Sequence, residues 1–263
     1  MTIQKSSISF FKRRPPRRFH IYCVGAAKTG TTTVAEMFKG EYRAEHEPET
    51  EPTNQFVIDF LEKKMDAEVV EQYLLSRDRR LNLELESAHP LGYTSGMLAG
   101  LFPEAKFIIT VREPYSWLES RLNYHYQKNP VAWRSYRKYF WTDRQHGYPD
   151  EEKILAECEL CSLDVYLAQY ADHYRRVLSS IPEDRRLVVK THELTDKLPE
   201  IAGFAGIPED TLKLTHSKRS LSKFQPLKAI EPSYTRQKIW SHCYEMIGEF
   251  FPELAGDYQQ FQM

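Results

Sequence analysis

The residues with the clearest chemical potential lie in GAAKTGTTT, Gly25 to Thr33, where one lysine and four threonines surround two glycines just before a run of helical periodicity. Backbone N–H groups at a helix start lack intrahelical acceptors, and the helix dipole adds partial positive charge, so such a loop is a ready anion site. Gly25 and Gly30 let the backbone approach an anion without a Cβ in the way. The threonines can cap the helix or donate hydroxyls, and Lys28 adds a mobile point charge with three donors. The candidate anion-binding set is therefore Ala27, Lys28, Thr29, Gly30, Thr31, Thr32 and Thr33. The lysine precedes the second glycine. A nucleoside triphosphatase loop would read GxxxxGK[ST], with its hydroxyl on magnesium, and no acidic partner strand for that metal is evident. Two further stretches offer groups able to take a proton: EHEPET, with Glu45, His46, Glu47 and Glu49, and ESAHPLGY, with Glu86 and His89.

The elements that must position these groups read as alternating strands and helices. HIYCVGA is a buried strand ending at a glycine, and TTTVAEMFKGEY is a helix stopping near Gly40. EYRAEHEPET holds a short second strand ended by Pro48. The segment 54–80 carries apolar residues at helical period. RLNLELESAH reads as a strand, LGYTSGMLAGLFP as a helix, and KFIITVREP as the strongest strand of the chain. Pro114 suits the first turn of the following helix, YSWLESRLNYHYQ. Glu151 to Ile181 reads as one long helix, RRLVVKTHEL as a last strand, and the remainder as mostly helical. This alternation predicts a single α/β domain, a central parallel sheet with helices on both faces. Ligands of such sheets bind beyond the carboxyl ends of the strands, where Gly25–Thr33, His46–Glu49 and Arg112–Ser120 all fall.

Composition narrows the classes. With 263 residues, 41% hydrophobic and 28% charged, the chain can bury a sizeable core. A net charge of −1 gives no global field for nucleic acid. The charge is concentrated at one end, with six basic residues between Lys5 and Arg18, so residues 1–18 are expected to be a basic arm, solvated or docked on an acidic partner, and 19–263 the domain. Four cysteines are too few for a disulfide scaffold. Cys158 and Cys161 are expected to be ordinary helical cysteines, and no metal site is expected. No window approaches a membrane span, which gives the expectation of a cytoplasmic protein.

GAAKTGTTT resembles the loop of sulfotransferases that use 3′-phosphoadenosine 5′-phosphosulfate (PAPS). In that family it cradles the 5′-phosphosulfate, with its lysine at the transferring group. The family's second motif, an arginine after a central strand with a serine eight residues on, is matched by Arg112 and Ser120 in VREPYSWLES. The resemblance covers roughly residues 19–189. It implies a P-loop-like sulfotransferase architecture, a soluble enzyme of the bacterial small-molecule type, PAPS as co-substrate without metal, and adenosine 3′,5′-bisphosphate as product. Arg112 and Ser120 would hold the 3′-phosphate, and Lys28 would stabilise charge on the departing oxygen. Glu47 is the nearest counterpart of the glutamate base of heparan-type members. His89 lies close to where cytosolic small-molecule members place their histidine, and His46 is a third candidate. The lysine that heparan-type members carry near Glu86 is missing. HSKRSL resembles the late basic loop over the 3′-phosphate, with Lys218 or Arg219 serving; His192 stands where many members have a tyrosine and inherits no role. The aromatic, basic stretch of about 123–150 would form an acceptor wall or lid, or a packed helical excursion. The acceptor would be a small, secondary-metabolite-like molecule offering a hydroxyl or amine. A kinase-like phosphotransferase and a non-catalytic nucleotide-binding protein are the alternatives.

Overall fold

The computed structural model describes residues 15–213 and 224–260; the candidates Lys218 and Arg219 lie outside them. Five strands form one parallel sheet: β1 (Ile21–Cys23), β2 (Ala44–His46), β3 (Leu85–Ser87), β4 (Lys106–Val111) and β5 (Arg186–Lys190), in the spatial order β2-β3-β1-β4-β5. Ile21 stands opposite Leu85 on one side and Lys106 on the other. Successive side chains of a strand face opposite ways, and the sequence uses both faces. Ile21, Cys23, Leu85 and Ile108 enter one apolar cluster; Tyr22, Val24, Phe107, Ile109 and Val111 enter the other.

Helices cover both clusters, so the expected layering holds. α1 (Thr31–Phe38) packs on the first face. α2 (Thr50–Leu61), α3 (Ala67–Leu81), α4 (Ser95–Leu101), α5 (Pro114–Gln127), α6 (Arg134–Phe140), α7 (Lys153–Glu157) and α8 (Leu163–Ser180) contribute to the second. α9 (Leu198–Ala205) returns to the first, and α10 (Pro232–Phe250) to the second. The chain reverses its direction of growth at β1, between β3 and β4. That switch point is where open α/β sheets leave a crevice for ligands. No helix of the described residues is long and apolar enough to cross a membrane.

Two helical segments are broken where continuous helix was expected. The segment 54–80 divides between α2 and α3: Lys63 takes a left-handed φ of 56°, and the Asp66 carboxylate restarts the helix by accepting the Val69 N–H at 2.9 Å. The segment 151–181 divides between α7 and α8. Glu159 takes a φ of 54°, and the buried Glu152 carboxylate accepts the Leu163 N–H at 2.8 Å. Cys158 and Cys161 therefore sit in the intervening turn rather than within a helix, and both are free thiols.

The inner end of the basic arm is part of the domain. Arg17 donates to both carboxylate oxygens of Asp78 at 2.9 and 2.8 Å, and Arg18 reaches the fully buried Glu84 side chain at 2.7 Å. His20 also contacts Asp78, at 3.1 Å. Burial alone would raise the Asp78 carboxyl, but His20 and Arg17 outweigh it and bring it to about 2. A carboxyl depressed in the folded state stabilises the fold above its unfolded value, and that contribution is lost as pH falls toward the folded value. Arg17→Ala is therefore expected to cost about 1–3 kcal/mol at neutral pH and to move acid unfolding to higher pH. Denaturant titration across the acid range checks this, and an unchanged acid limb contradicts it.

Candidate active site

β1 ends against β4 so closely that Gly25 admits no side chain: a Cβ there would lie 2.0 Å from the Thr110 hydroxyl oxygen and 2.7 Å from its backbone nitrogen. Beyond it, four consecutive carbonyls are held by side-chain donors. The Thr29 hydroxyl donates to the Ala26 carbonyl at 2.6 Å, Trp117 Nε1 to Ala27 at 2.9 Å, Arg112 Nη1 to Lys28 at 3.3 Å, and the Thr191 hydroxyl to Thr29 at 2.7 Å. In a trans peptide the next N–H points opposite its carbonyl. The N–H groups of Ala27, Lys28, Thr29 and Gly30 are thus turned away from these four donors. No acceptor among the described residues takes a hydrogen bond from the backbone N–H groups of residues 27 to 33. Lys28 and Gly30 have φ of 73° and 101°, the kind of alternation that gathers N–H groups into an anion-binding concavity. Lys28 holds this conformation without a glycine's freedom, which marks a strained backbone at a candidate functional residue.

Arg112 follows β4 directly. Its guanidinium bridges the Lys28 carbonyl and the Ser116 hydroxyl, the latter at 3.1 Å from Nε. Ser116 lies one turn into α5 and Ser120 one turn further, half-buried on the same side of the helix. The glutamate between strand and helix, Glu113, caps α5 by accepting from Tyr115 and Ser116 N–H at 2.8 and 2.7 Å. Arg112 and Lys28, 84 residues apart, therefore meet at one loop.

The three candidate bases also converge. β2 stops at His46, and Glu47 turns to φ 50°, so the two do not diverge as alternate residues of a continuing strand would. Glu47 Oε1 lies 2.9 Å from His89 Nδ1, and Glu47 Oε2 lies 3.8 Å from His46 Nδ1. His46 Nε2 sits 3.2 Å from the hydroxyls of both Thr31 and Thr32. Burial would raise the Glu47 carboxyl, but His89, then His46 and Arg121, hold it below the usual carboxylate range. Burial pushes His89 down despite the neighbouring carboxylate, and His46 down likewise. The pair is thus an ionised carboxylate beside a neutral imidazole. His89 is roofed by the aromatic stretch: Trp133 stacks on it at 5.0 Å, and Tyr136 meets it edge-on at 5.4 Å. Its other nitrogen, Nε2, is buried and has no partner. Glu86, the other carboxylate of that stretch, is engaged elsewhere, 2.6 Å from Arg77. Glu49 is likewise held by Arg80 at 2.6 Å.

The Lys28 ammonium lies 4.9 Å from the centre of the Tyr124 ring. Burial and the positive charges of Arg121, Arg112 and Lys128 lower its pKa, while Glu47 opposes them. Arg121, 5% exposed, approaches the same ring at 5.8 Å and Trp141 at 4.8 Å.

With this geometry in hand, comparison with known proteins is decisive for the family: the sulfotransferase domain family matches residues 20–206. The chain belongs to the sulfotransferase family. A curated relative, Ava biosynthesis cluster protein M of Aspergillus versicolor, is 31% identical over 100 residues, which cover 34% of this chain and 38% of that protein. Among solved structures, a sulfotransferase from Alicyclobacillus acidocaldarius aligns over 90% of this chain and 93% of its own, at 16% identity and a TM-score of 0.45. Sulfotransferase STF9 from Mycobacterium avium aligns over 90% and 78%, at 14% identity and a TM-score of 0.49.

In this chain, Ala27 to Thr33, Arg112, Glu47, His46 and His89 come together, and Ser120 stands two turns into the helix that starts beside Arg112. His192 is exposed and apart. The sequence reading missed Trp117 and Thr191, whose contacts with the loop cross 90 and 162 residues, and Arg121, which resembles any helical charge until its burial is known. Followed by imidazole NMR, His89 is expected to titrate below its ordinary pKa of about 6.5, pushed down by burial. Glu47→Gln should lower it further, because the carboxylate is what favours the imidazolium. Titration at or above the ordinary value would contradict the pairing.

Proposed function

We propose that this sulfotransferase moves a sulfuryl group from PAPS to a hydroxyl or amine of a small-molecule acceptor. The observation that carries the reading is the loop of unpartnered N–H groups with Lys28 and Arg112 at its rim. The inward N–H groups of residues 27 to 30 and the threonine hydroxyls would bind the 5′-phosphosulfate. Arg112, with Ser116 and Ser120 on the adjoining helix, would hold the 3′-phosphate as a charge-assisted fork.

Lys28 would act on the leaving oxygen. As the new S–O or S–N bond to the acceptor forms and the bridging S–O bond breaks, negative charge grows on the nucleotide phosphate. A fixed ammonium in a partly desolvated site stabilises that charge more than it stabilises the ground state. Glu47 would take the acceptor's proton. Its carboxylate is ionised and, at 18% side-chain exposure, more open than His89 at 7%. His89, behind it, would hold the carboxylate in place by donating its Nδ1–H to Oε1. His46 would orient the loop's threonines rather than serve as the base, since its Nε2 already lies between their hydroxyls.

Incubation with ³⁵S-labelled PAPS and a panel of hydroxyl and amine metabolites is expected to give label transfer with release of adenosine 3′,5′-bisphosphate. Failure to bind that bisphosphate would overturn the reading. Lys28→Ala should lower kcat by about 10²–10³-fold; a change confined to nucleotide affinity would remove its role at the leaving group. Glu47→Gln should lower kcat by roughly 10²–10⁴-fold while nucleotide binding persists.

A further inference from the structure

Two arginines of the described residues are almost wholly buried, and their surroundings differ. Arg77, 2% exposed, lies on the Glu86 carboxylate at 2.6 Å and on the Pro48 carbonyl at 3.1 Å. Arg121, 5% exposed, makes no hydrogen bond or ion pair with any described residue, and its Nε is fully buried without a partner. Its recorded contacts are the faces of Trp141 and Tyr124. A guanidinium cannot shed its charge and carries five donors in a planar fork. Burying such a group without an anion is costly, and ring faces satisfy none of its in-plane donors.

The surroundings say where an anion is wanted. Glu47 acts on Arg121 from a distance, but its own partners are His89 and His46. Lys28 shares the Tyr124 ring, so Lys28 and Arg121 face the single carboxylate of Glu47, while Arg112, at the same loop, has Glu113 and Glu119 near it. Arg121 is enclosed by Trp141, which belongs to the aromatic stretch that also roofs His89. It is thus placed among the groups that would face the acceptor.

We propose that the acceptor carries a carboxylate, and that the Arg121 guanidinium recognises it beside the Glu47–His89 pair. This rests on the sulfuryl-transfer reading and narrows its acceptor to hydroxy or amino acids. A planar carboxylate meets the fork with two parallel hydrogen bonds, while the ring faces of Trp141 and Tyr124 hold the guanidinium plane in position. The donor's sulfuryl oxygens offer the same anionic chemistry, so the experiment separates the two sources.

The protein is supplied with ³⁵S-labelled PAPS and matched phenolic and aliphatic hydroxy acids, each beside its methyl ester. The wild-type chain is expected to use acids with a kcat/KM at least about tenfold above the esters. Arg121→Gln should erase that preference by raising KM for the acids about tenfold, with the Kd for adenosine 3′,5′-bisphosphate held within about twofold. Arg121→Lys, which keeps the charge and loses the fork, should fall between them. Equal use of acid and ester by the wild-type chain would overturn the proposal, as would transfer to neutral alcohols alone. A raised KM for PAPS in Arg121→Gln, or weakened bisphosphate binding, would overturn it too, by assigning the guanidinium to the donor's sulfuryl group or to its phosphates. The acid-to-ester ratio of the wild-type chain decides the matter even where a variant fails to fold. Loss of both label transfer and bisphosphate binding in the wild-type chain would refute the donor reading, and this inference with it.

Discussion

The site depends on how the carbonyls of Ala26 to Thr29 are held. Each accepts from a side chain: Thr29, Trp117, Arg112 and Thr191 in turn. Because peptides are planar and trans, fixing these carbonyls on one side fixes the following N–H groups on the other. The direction of the loop's N–H groups, on which the proposed anion binding rests, is therefore imposed mainly by the core, with Thr29 alone acting from within the loop. Trp117 is brought by α5, Thr191 by the turn after β5, and Arg112 by the end of β4. All three elements are packed against the sheet by residues remote from the loop. The Gly25 contact with Thr110 fixes the loop's starting point in the same way.

That arrangement would tie the proposed recognition and chemistry to the same few hydrogen bonds. Arg112 touches the Lys28 carbonyl, so a group bound by one is in register with the backbone that carries the other. On the opposite flank, His46 touches Thr31 and Thr32 while Glu47 touches His89. The Glu47–His89 pair is thereby linked through His46 to the first turn of α1. Lys28 and Arg121 share the one carboxylate of Glu47, which leaves that end of the site suited to an anionic ligand such as the proposed donor.

The parts of this site encoded in local pattern were legible in the sequence. A buried strand, two glycines, a lysine and a helical run are contiguous, and they sufficed for the loop, the parallel sheet and the carboxyl-end location of Arg112 and Glu47. The helix breaks at Lys63 and Glu159 were not legible, since each takes a left-handed φ without a glycine or proline to announce it. The Glu47–His89 contact spans 42 residues. Each residue was a candidate alone, but their pairing follows only from the adjacency of β2 and β3. Arg121 could not be singled out either. One arginine in a helix of mixed polarity carries no mark of burial, which here comes from the folding of the aromatic stretch over α5.

The central claim is that Lys28 and Arg112 act on opposite ends of one doubly phosphorylated nucleotide. It is tested most directly by calorimetric binding of adenosine 3′,5′-bisphosphate and adenosine 5′-phosphate to the wild-type chain and to Arg112→Ala. A charge-assisted bond to the 3′-phosphate is worth roughly 1.5–3 kcal/mol. The wild-type chain should therefore bind the bisphosphate at least about tenfold more tightly than the monophosphate, and Arg112→Ala should remove that advantage, weakening the bisphosphate by far more than the monophosphate. Equal affinity for the two nucleotides in the wild-type chain, or an equal loss for both in the variant, would contradict the account.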